Sequence, residues 1–257
     1  MTTLTINGKK VTVDDGAHIL DAARAAGVYV PTLCQFDGLE PWGGCRLCVV
    51  DMSEAGWDDD WFKMVTACNH PVREGMRVLT DTERVVETRR VVLDLLLARC
   101  PETPLIQRMA AEHGITATSY QVNPEPTDCI LCGLCTRVCD HIGVSAISSV
   151  HRGWGREIAP PFYEAPPDCI GCLACAEICP TDCIPYQDGN IVRTIWGRRF
   201  DMLRDPRTGD GLVTKAQAAH FAARSGVPIS YFETSDRSKR LEMARTFEKL
   251  STEKRGD

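Results

Sequence analysis

Apolar and polar residues alternate through "TLTINGKKVTV", with Asn7-Gly8 at the centre. A period of two around an Asn-Gly pair predicts a β-hairpin, because both residues accept the left-handed backbone of a tight turn. In "DGAHILDAARAAGV" the apolar positions recur at helical spacing, and Gly27 stands where such a helix would close. A loop rich in glycine and cysteine follows, "CQFDGLEPWGGCRLC", and then the strand-like "VVDM". Residues 53–62, "SEAGWDDDWF", are expected to form a surface excursion, after which "FKMVTACNHPVREGMRVLT" returns to strand character. Thr80 and Glu83 fit a T-x-x-E capping box and predict a helix running to about Arg99. Cys100-Pro101 ends it, Thr103-Pro104 opens a second helix with proline in its first turn, and Gly114 closes that one. Near the C-terminal end, a basic stretch, "RTIWGRRFDMLRDPRTG", precedes two expected helices. One runs from near Thr214 to Gly226 and the other opens near Ser235. Leu241, Ala244 and Phe247 recur every three residues and are expected to pack the last helix against a neighbour.

These patterns divide the chain into a small β-rich domain (1–80), a helical bridge (81–125), a cysteine-rich domain (126–190) and a short helical tail (191–257). The tail's Arg193, Arg198, Arg199, Arg204 and Arg207 read as a solvated basic face or a partner-docking surface.

Charge and composition narrow the function classes. The formal net charge of −6 over 257 residues argues against non-specific nucleic-acid binding, which needs a basic face. The N-terminal "MTTLTINGKKVTVDDG" has no apolar signal core, and "VVLDLLLA" at 91–98 is too short to span a bilayer and contains Asp94. A cytoplasmic chain without direct membrane insertion is therefore expected. There, the 14 cysteines stay reduced and, being clustered, point to metal rather than disulfides.

Two cysteine runs repeat one spacing, C-x2-C-x2-C-x3-C: "CILCGLCTRVC" (129–139) and "CIGCLACAEICP" (169–180). This is the run of bacterial ferredoxins, in which three cysteines bind one cubane and the fourth ligates the other cluster. The rule assigns Cys129, Cys132, Cys135 and Cys179 to one [4Fe–4S] cluster, and Cys139, Cys169, Cys172 and Cys175 to a second. Zinc sites instead place C-x2-C knuckles in separate hairpins. Gly133, Gly171 and Ala174 are small enough to let the backbone approach a cluster. Cys34, Cys45, Cys48 and Cys68 form a different set. It has the central C-x2-C and remote last ligand of plant-type [2Fe–2S] proteins but a longer first interval. It is expected to hold one [2Fe–2S] cluster, two thiolates per iron. Cys100 and Cys183 are left over and read as packed thiols, not ligands, with rescue of a cluster as the second reading of Cys183.

The segments "VPTLC…GGCRLCVV…TACNHPVREGM", "CILCGLCTRVCDHIGVSAI" and "DCIGCLACAEICPT" resemble the iron–sulfur proteins of the G-subunit group of complex I. That group includes the diaphorase subunits of NAD-linked hydrogenases, and subunits of formate dehydrogenases and of class II benzoyl-CoA reductases. The resemblance implies an α+β chain, with a β-grasp [2Fe–2S] domain followed by a bacterial-type 2×[4Fe–4S] ferredoxin domain. Many members carry a further cluster on one histidine and three cysteines between the domains. Here "LARCPETPLIQRMAAEHG" offers only Cys100 and His113, so no cluster is expected there. Succinate dehydrogenase-type iron–sulfur subunits keep a shorter first interval than this chain.

The sequence shows no dinucleotide fingerprint, P-loop or nucleophile elbow, and no catalytic residue is assigned. The expected function is an electron-transfer subunit of a multi-subunit oxidoreductase. The resemblance implies its partners: a flavoprotein that handles NAD(P), and a catalytic redox subunit of hydrogenase, formate dehydrogenase or benzoyl-CoA reductase type. A free-standing polyferredoxin carrier is the alternative.

Overall fold

The computed structural model describes residues 1–58 and 60–253. Asp59, inside the expected surface excursion, and residues 254–257 of the C-terminal segment lie outside the described residues. Two compact units interleave along the chain. One contains residues 1–138, 149–158 and 178–183, and the other contains 139–148, 159–177 and 184–257.

The first unit opens with the hairpin β1 (Thr2–Ile6) and β2 (Lys9–Val13). Asn7 and Gly8 have φ of 50° and 79°, as a primed hairpin turn requires. Helix α1 (Ile19–Ala25) starts where the His18 amide donates to the Asp21 carboxylate at 2.9 Å. Strands β3 (Val49–Ser53), β4 (Lys63–Thr66) and β5 (Arg77–Leu79) complete a five-stranded sheet in the order β2-β1-β5-β3-β4. β1 and β5 are parallel, and the other pairs are antiparallel. The buried face of α1 (Ile19, Leu20, Ala22 and Ala23) packs with Leu4, Ile6, Val50, Met52 and Val78 of the sheet. One helix is thus held on one mixed sheet. Cys48 and Cys68 belong to the same core.

Helix α2 (Glu83–Arg99) begins later than the capping-box reading places it. Thr82, not Thr80, is the cap, its hydroxyl accepting from the Val85 amide. Thr80 is already engaged with the hairpin turn: Asn7 Nδ2 donates to its hydroxyl at 2.7 Å, and its amide donates to Asn7 Oδ1 at 2.9 Å. Arg84 pairs with the buried carboxylate of Asp51 at 2.6 Å. Arg89 is buried, with Nε and Nη2 donating to the carbonyls of Leu47 and Val49 at 3.1 and 2.7 Å. These bonds fix α2 to β3 and to the cysteine loop before it. Helix α3 (Pro104–Glu112) follows with proline at its start, and Gly114 leaves it at φ 76°. Leu93, Leu97, Ile106 and Met109 of α2 and α3 form one apolar core. That core also takes in Leu33, Cys34 and Leu47 of the N-terminal loop, and Ile130, Cys132 and Leu134 of the first cysteine run.

Helix α4 (Leu134–His141) grows out of that run. The short strands β6 (Ser148–Val150) and β7 (Glu157–Ala159) then pair with each other, and the second run contains a single helical turn, α5 (Ala174–Glu177).

The second unit holds an antiparallel sheet of β8 (Tyr186–Asp188), β9 (Val192–Ile195), β10 (Arg198–Arg204) and β11 (Gly211–Thr214), ordered β11-β10-β9-β8. The stretch read as a basic lead-in to helices is therefore largely strand. Trp196 and Gly197 have φ of 53° and 72° and form a second primed hairpin turn, which places Ile195 opposite Arg198. Helix α6 (Lys215–Ser225) is capped by Thr214 and closed by Gly226 at φ 72°, where the sequence places both ends. It packs on β10 and β11. Helix α7 (Asp236–Glu253) leaves Leu241, Met243 and Phe247 exposed. Among the described residues, no helix is long and apolar enough to cross a membrane.

Candidate metal centres

All fourteen cysteines are free thiols. In the N-terminal set they meet in two pairs. Cys34 shares a hydrogen bond with Cys45, and Cys48 with Cys68. The shared proton and burial push Cys34 and Cys48 upward, while the same bonds draw Cys45 down to about 6 and also lower Cys68. Each pair thus contains one sulfur held toward the thiolate, the form that ligates metal. The loop amides face these sulfurs: Cys45 N–H donates to Cys34 Sγ at 3.4 Å, and Gly43 N–H points at Cys68. Gly43 (φ 68°) and Arg46 (φ 61°) take left-handed backbone on either side of Cys45, turning successive N–H groups inward. A side chain at Gly43 would meet Asn69 at 2.8 Å, so glycine is required there twice over.

The two later runs have the same backbone. In each, the second and fourth residues after the first cysteine are left-handed: Leu131 and Gly133 (φ 55° and 71°), and Gly171 and Leu173 (φ 68° and 63°). Glycine occupies one such position in each run, but not the same one, so spacing of small residues alone does not reveal the pattern. A leucine held left-handed costs about 1–3 kcal/mol and persists only where its surroundings hold it. The gain is a nest of N–H groups aimed at the thiols: Leu131 N–H at Cys129, Leu134 N–H at Cys132 and Gly171 N–H at Cys169.

Cys129, Cys132, Cys135 and Cys179 all lie in the first compact unit. Burial raises Cys132 to about 11. Cys129 and Cys179 are instead drawn down, to about 6 and about 5, chiefly by hydrogen bonds to Cys183. The Cys183 sulfur stands 3.5 Å from that of Cys179. The sequence reads Cys183 first as a packed thiol and second as a rescue ligand, and the fold brings it against two sulfurs of one set.

Cys139, Cys169, Cys172 and Cys175 lie in the second unit and line one apolar cavity with Ile142, Val144, Ile147, Ile195 and Trp196. Ala146 N–H donates to Cys139 Sγ at 3.3 Å. Trp196 Nε1 donates to Cys175 Sγ at 3.5 Å, while burial holds Cys175 up at about 11. Four residues read from sequence as tail or surface brace this site. Arg193, only 7% exposed, donates to the Gly171 carbonyl at 2.9 Å and forks onto Asp188 at 2.7 and 2.9 Å. Arg198 donates to the carbonyls of Pro166 and Cys169, each at 2.9 Å. The Thr214 hydroxyl donates to the Ile170 carbonyl at 2.5 Å while capping α6. Phe200 lies so close to Gly171 that a Cβ there would be 2.7 Å from its ring. The available signal was the alternation of "NIVRTIWGRRFDM" around Trp-Gly. Its arginine content obscured it.

Trp42 touches both cysteine loops of the first unit. A Cβ on Gly44 would be 2.5 Å from its ring, and one on Gly133 2.8 Å. Arg137 of α4 lies 5.8 Å over that ring and donates to the Cys34 carbonyl at 2.9 Å and to the Glu40 carbonyl. Cys100 is fully buried, its thiol raised to about 12 by burial, and His113 Nδ1 bonds the Met109 carbonyl of its own helix at 3.0 Å. Among the described residues, no three His, Cys, Asp or Glu side chains converge tightly enough for a single metal ion. The thiols sit instead in pairs and wider groups. An iron–sulfur core is compatible with such spacing because its inorganic sulfide fills the centre.

Residues 1–83 match the family described as a 2Fe-2S iron-sulfur cluster binding domain. The NADPH-Fe(3+) oxidoreductase subunit alpha of Geobacter sulfurreducens (strain DL-1 / KN400) is 32% identical over 206 residues, covering 70% of this chain and 24% of the relative. The NADP-reducing hydrogenase subunit HndD of Solidesulfovibrio fructosivorans is 30% identical over 213 residues, covering 70% of this chain and 35% of its own length. The mitochondrial NADH-ubiquinone oxidoreductase 78 kDa subunit of Candida albicans is 38% identical over 98 residues, covering 38% of this chain and 13% of that one. This chain thus spans about a third or less of the length of these relatives. Among solved structures, a chain of an NAD+-reducing [NiFe]-hydrogenase in the H2-reduced state superposes with a TM-score of 0.54 and 28% identity, over 62% of this chain and 75% of that one. Motifs, fold and relatives agree: residues 1–83 are a 2Fe-2S iron-sulfur cluster binding domain, and the chain resembles the group formed by the G-type subunits of complex I and the NAD(P)-linked hydrogenase subunits.

Proposed function

We propose that this chain is the electron-relay subunit of a multi-subunit oxidoreductase, taking electrons from or giving them to a flavoprotein that handles NAD(P). At the other end it serves a catalytic redox subunit of hydrogenase, formate dehydrogenase or benzoyl-CoA reductase type. Cys34, Cys45, Cys48 and Cys68 hold a [2Fe–2S] cluster. Cys129, Cys132, Cys135 and Cys179 hold one [4Fe–4S] cluster, and Cys139, Cys169, Cys172 and Cys175 hold another. Once bound, such clusters take up and release single electrons without bond rearrangement. The thiolates anchor, the inward amides offset negative charge at the sulfurs, and the apolar walls exclude water. The observation that carries the reading is the shared core of the first unit. Cys34 and Cys132, from different cysteine sets, are buried in one apolar cluster, and Trp42 lies against both loops. A rigid core keeps the separation of two redox sites constant, as a relay requires.

Anaerobic purification of the full chain with its native partners tests this. The expected result is a complex containing a flavoprotein, with NAD(P)H bleaching the iron–sulfur absorbance only when that partner is present. About ten irons per chain are expected from the three ligand sets. A lone chain with full catalytic activity, or one without iron, would overturn the proposal.

A further inference from the structure

Cys183 shares hydrogen bonds with both Cys129 and Cys179, and its sulfur is 3.5 Å from that of Cys179. It follows Cys179 by four positions, and Asp182, left-handed at φ 51°, turns the chain back between them. The Cys183 amide also points at the Cys179 sulfur. Cys100, by contrast, is buried in the helical core. One spare thiol is therefore packed away, while the other rests against two members of a four-thiol set. Four thiolates complete a cubane, so a fifth at contact distance exceeds the need for ligands. It is also partly exposed, and so is not simply filling the core.

We propose that Cys183 is a reserve ligand of the [4Fe–4S] cluster assigned to Cys129, Cys132, Cys135 and Cys179. The inference rests on that assignment. In the exchange, the iron–sulfur bond to Cys179 breaks and one to Cys183 forms. The Cys183 proton passes directly to the Cys179 sulfur across the existing hydrogen bond. No electron is gained or lost, and no co-reactant is needed. Because Cys183 also adjoins Cys129, the same replacement is open to that ligand. The chain thereby tolerates loss of either sulfur, through substitution or oxidative damage, without releasing iron.

The test uses the full chain, loaded anaerobically, with iron and sulfide counts and EPR of each variant. Wild-type protein comes first. About ten irons are required by the ligand assignment, and a different count rejects that assignment rather than the reserve role. Given that count, Cys183→Ala keeps about ten irons, because the resident set is intact. Cys179→Ala also keeps about ten, with an altered cubane EPR signal, whereas the double variant C179A/C183A falls to about six. Cys129→Ala behaves as Cys179→Ala does. The proposal is overturned if either single ligand variant drops to about six irons or fails to fold, as judged by loss of the [2Fe–2S] signal. It is equally overturned if Cys183→Ala alone loses iron, or if the double variant keeps about ten.

Discussion

At the scale of single residues, the site depends on a few atoms that face sulfur or make room for it. Trp196 is the clearest case, with an indole N–H directed at Cys175 Sγ at 3.5 Å. A hydrogen bond to a ligand sulfur stabilises the reduced, more negative cluster and raises its potential. Trp196→Phe keeps the ring and removes the donor. The iron count should then hold while one cubane potential moves negative in an EPR-monitored redox titration, and an unchanged potential would refute the role. Gly133 combines a left-handed backbone with a Cβ position 2.8 Å from Trp42. Gly133→Ala is accordingly expected to cost about 1–3 kcal/mol in strain, read as a lower melting temperature of the loaded chain. An unshifted melting curve would show that Trp42 moves aside freely. Part of this was legible in sequence, since Gly43, Gly44, Gly133 and Gly171 sit between cysteines. Leu131 and Leu173 were not, because a leucine gives no local hint that it will be held at positive φ.

At the scale of elements, turn chemistry was readable and strand packing was not. Asn7-Gly8 forms its turn where the alternation places it, and Gly226 closes α6. Thr80 did not become the cap of α2, because a partner remote in sequence, Asn7, claimed its hydroxyl and amide. The β9–β10 hairpin shows the same competition. Its arginines read as solvated, yet Arg193 lies inside, where Asp188 neutralises it and the Gly171 carbonyl accepts from it. Charged hydrogen bonds of this kind are worth about 1.5–3 kcal/mol each. Arg193→Met should therefore release the loop from Cys169 to Cys175. Iron should fall from about ten to about six per chain, with the [2Fe–2S] EPR signal retained. Retention of all the iron would show that Arg198 and Thr214 hold the loop without it.

At the scale of the whole molecule, two compact units interleave along the sequence, and each contains all four cysteines of one of the two sets proposed to hold a [4Fe–4S] cluster. Thiols buried in loops gain their full complement of partners only around a metal core, so metal binding and folding are coupled there. Stripping iron anaerobically with a chelator should lower and broaden the thermal unfolding transition followed by circular dichroism. A transition as sharp and as high as before would mean that the loops are preformed without metal. Through its cysteine spacings, its hairpin dipeptides and its capped helices, the sequence by itself determined the kind of chemistry and the order of elements, because these depend on residues close together in the chain. Only the tertiary structure decided which thiols pair, which arginines are buried, and that Cys183 rests against Cys129 and Cys179. Those outcomes depend on contacts between segments far apart in sequence, where competition for each hydrogen-bonding group is resolved by packing and not by local preference.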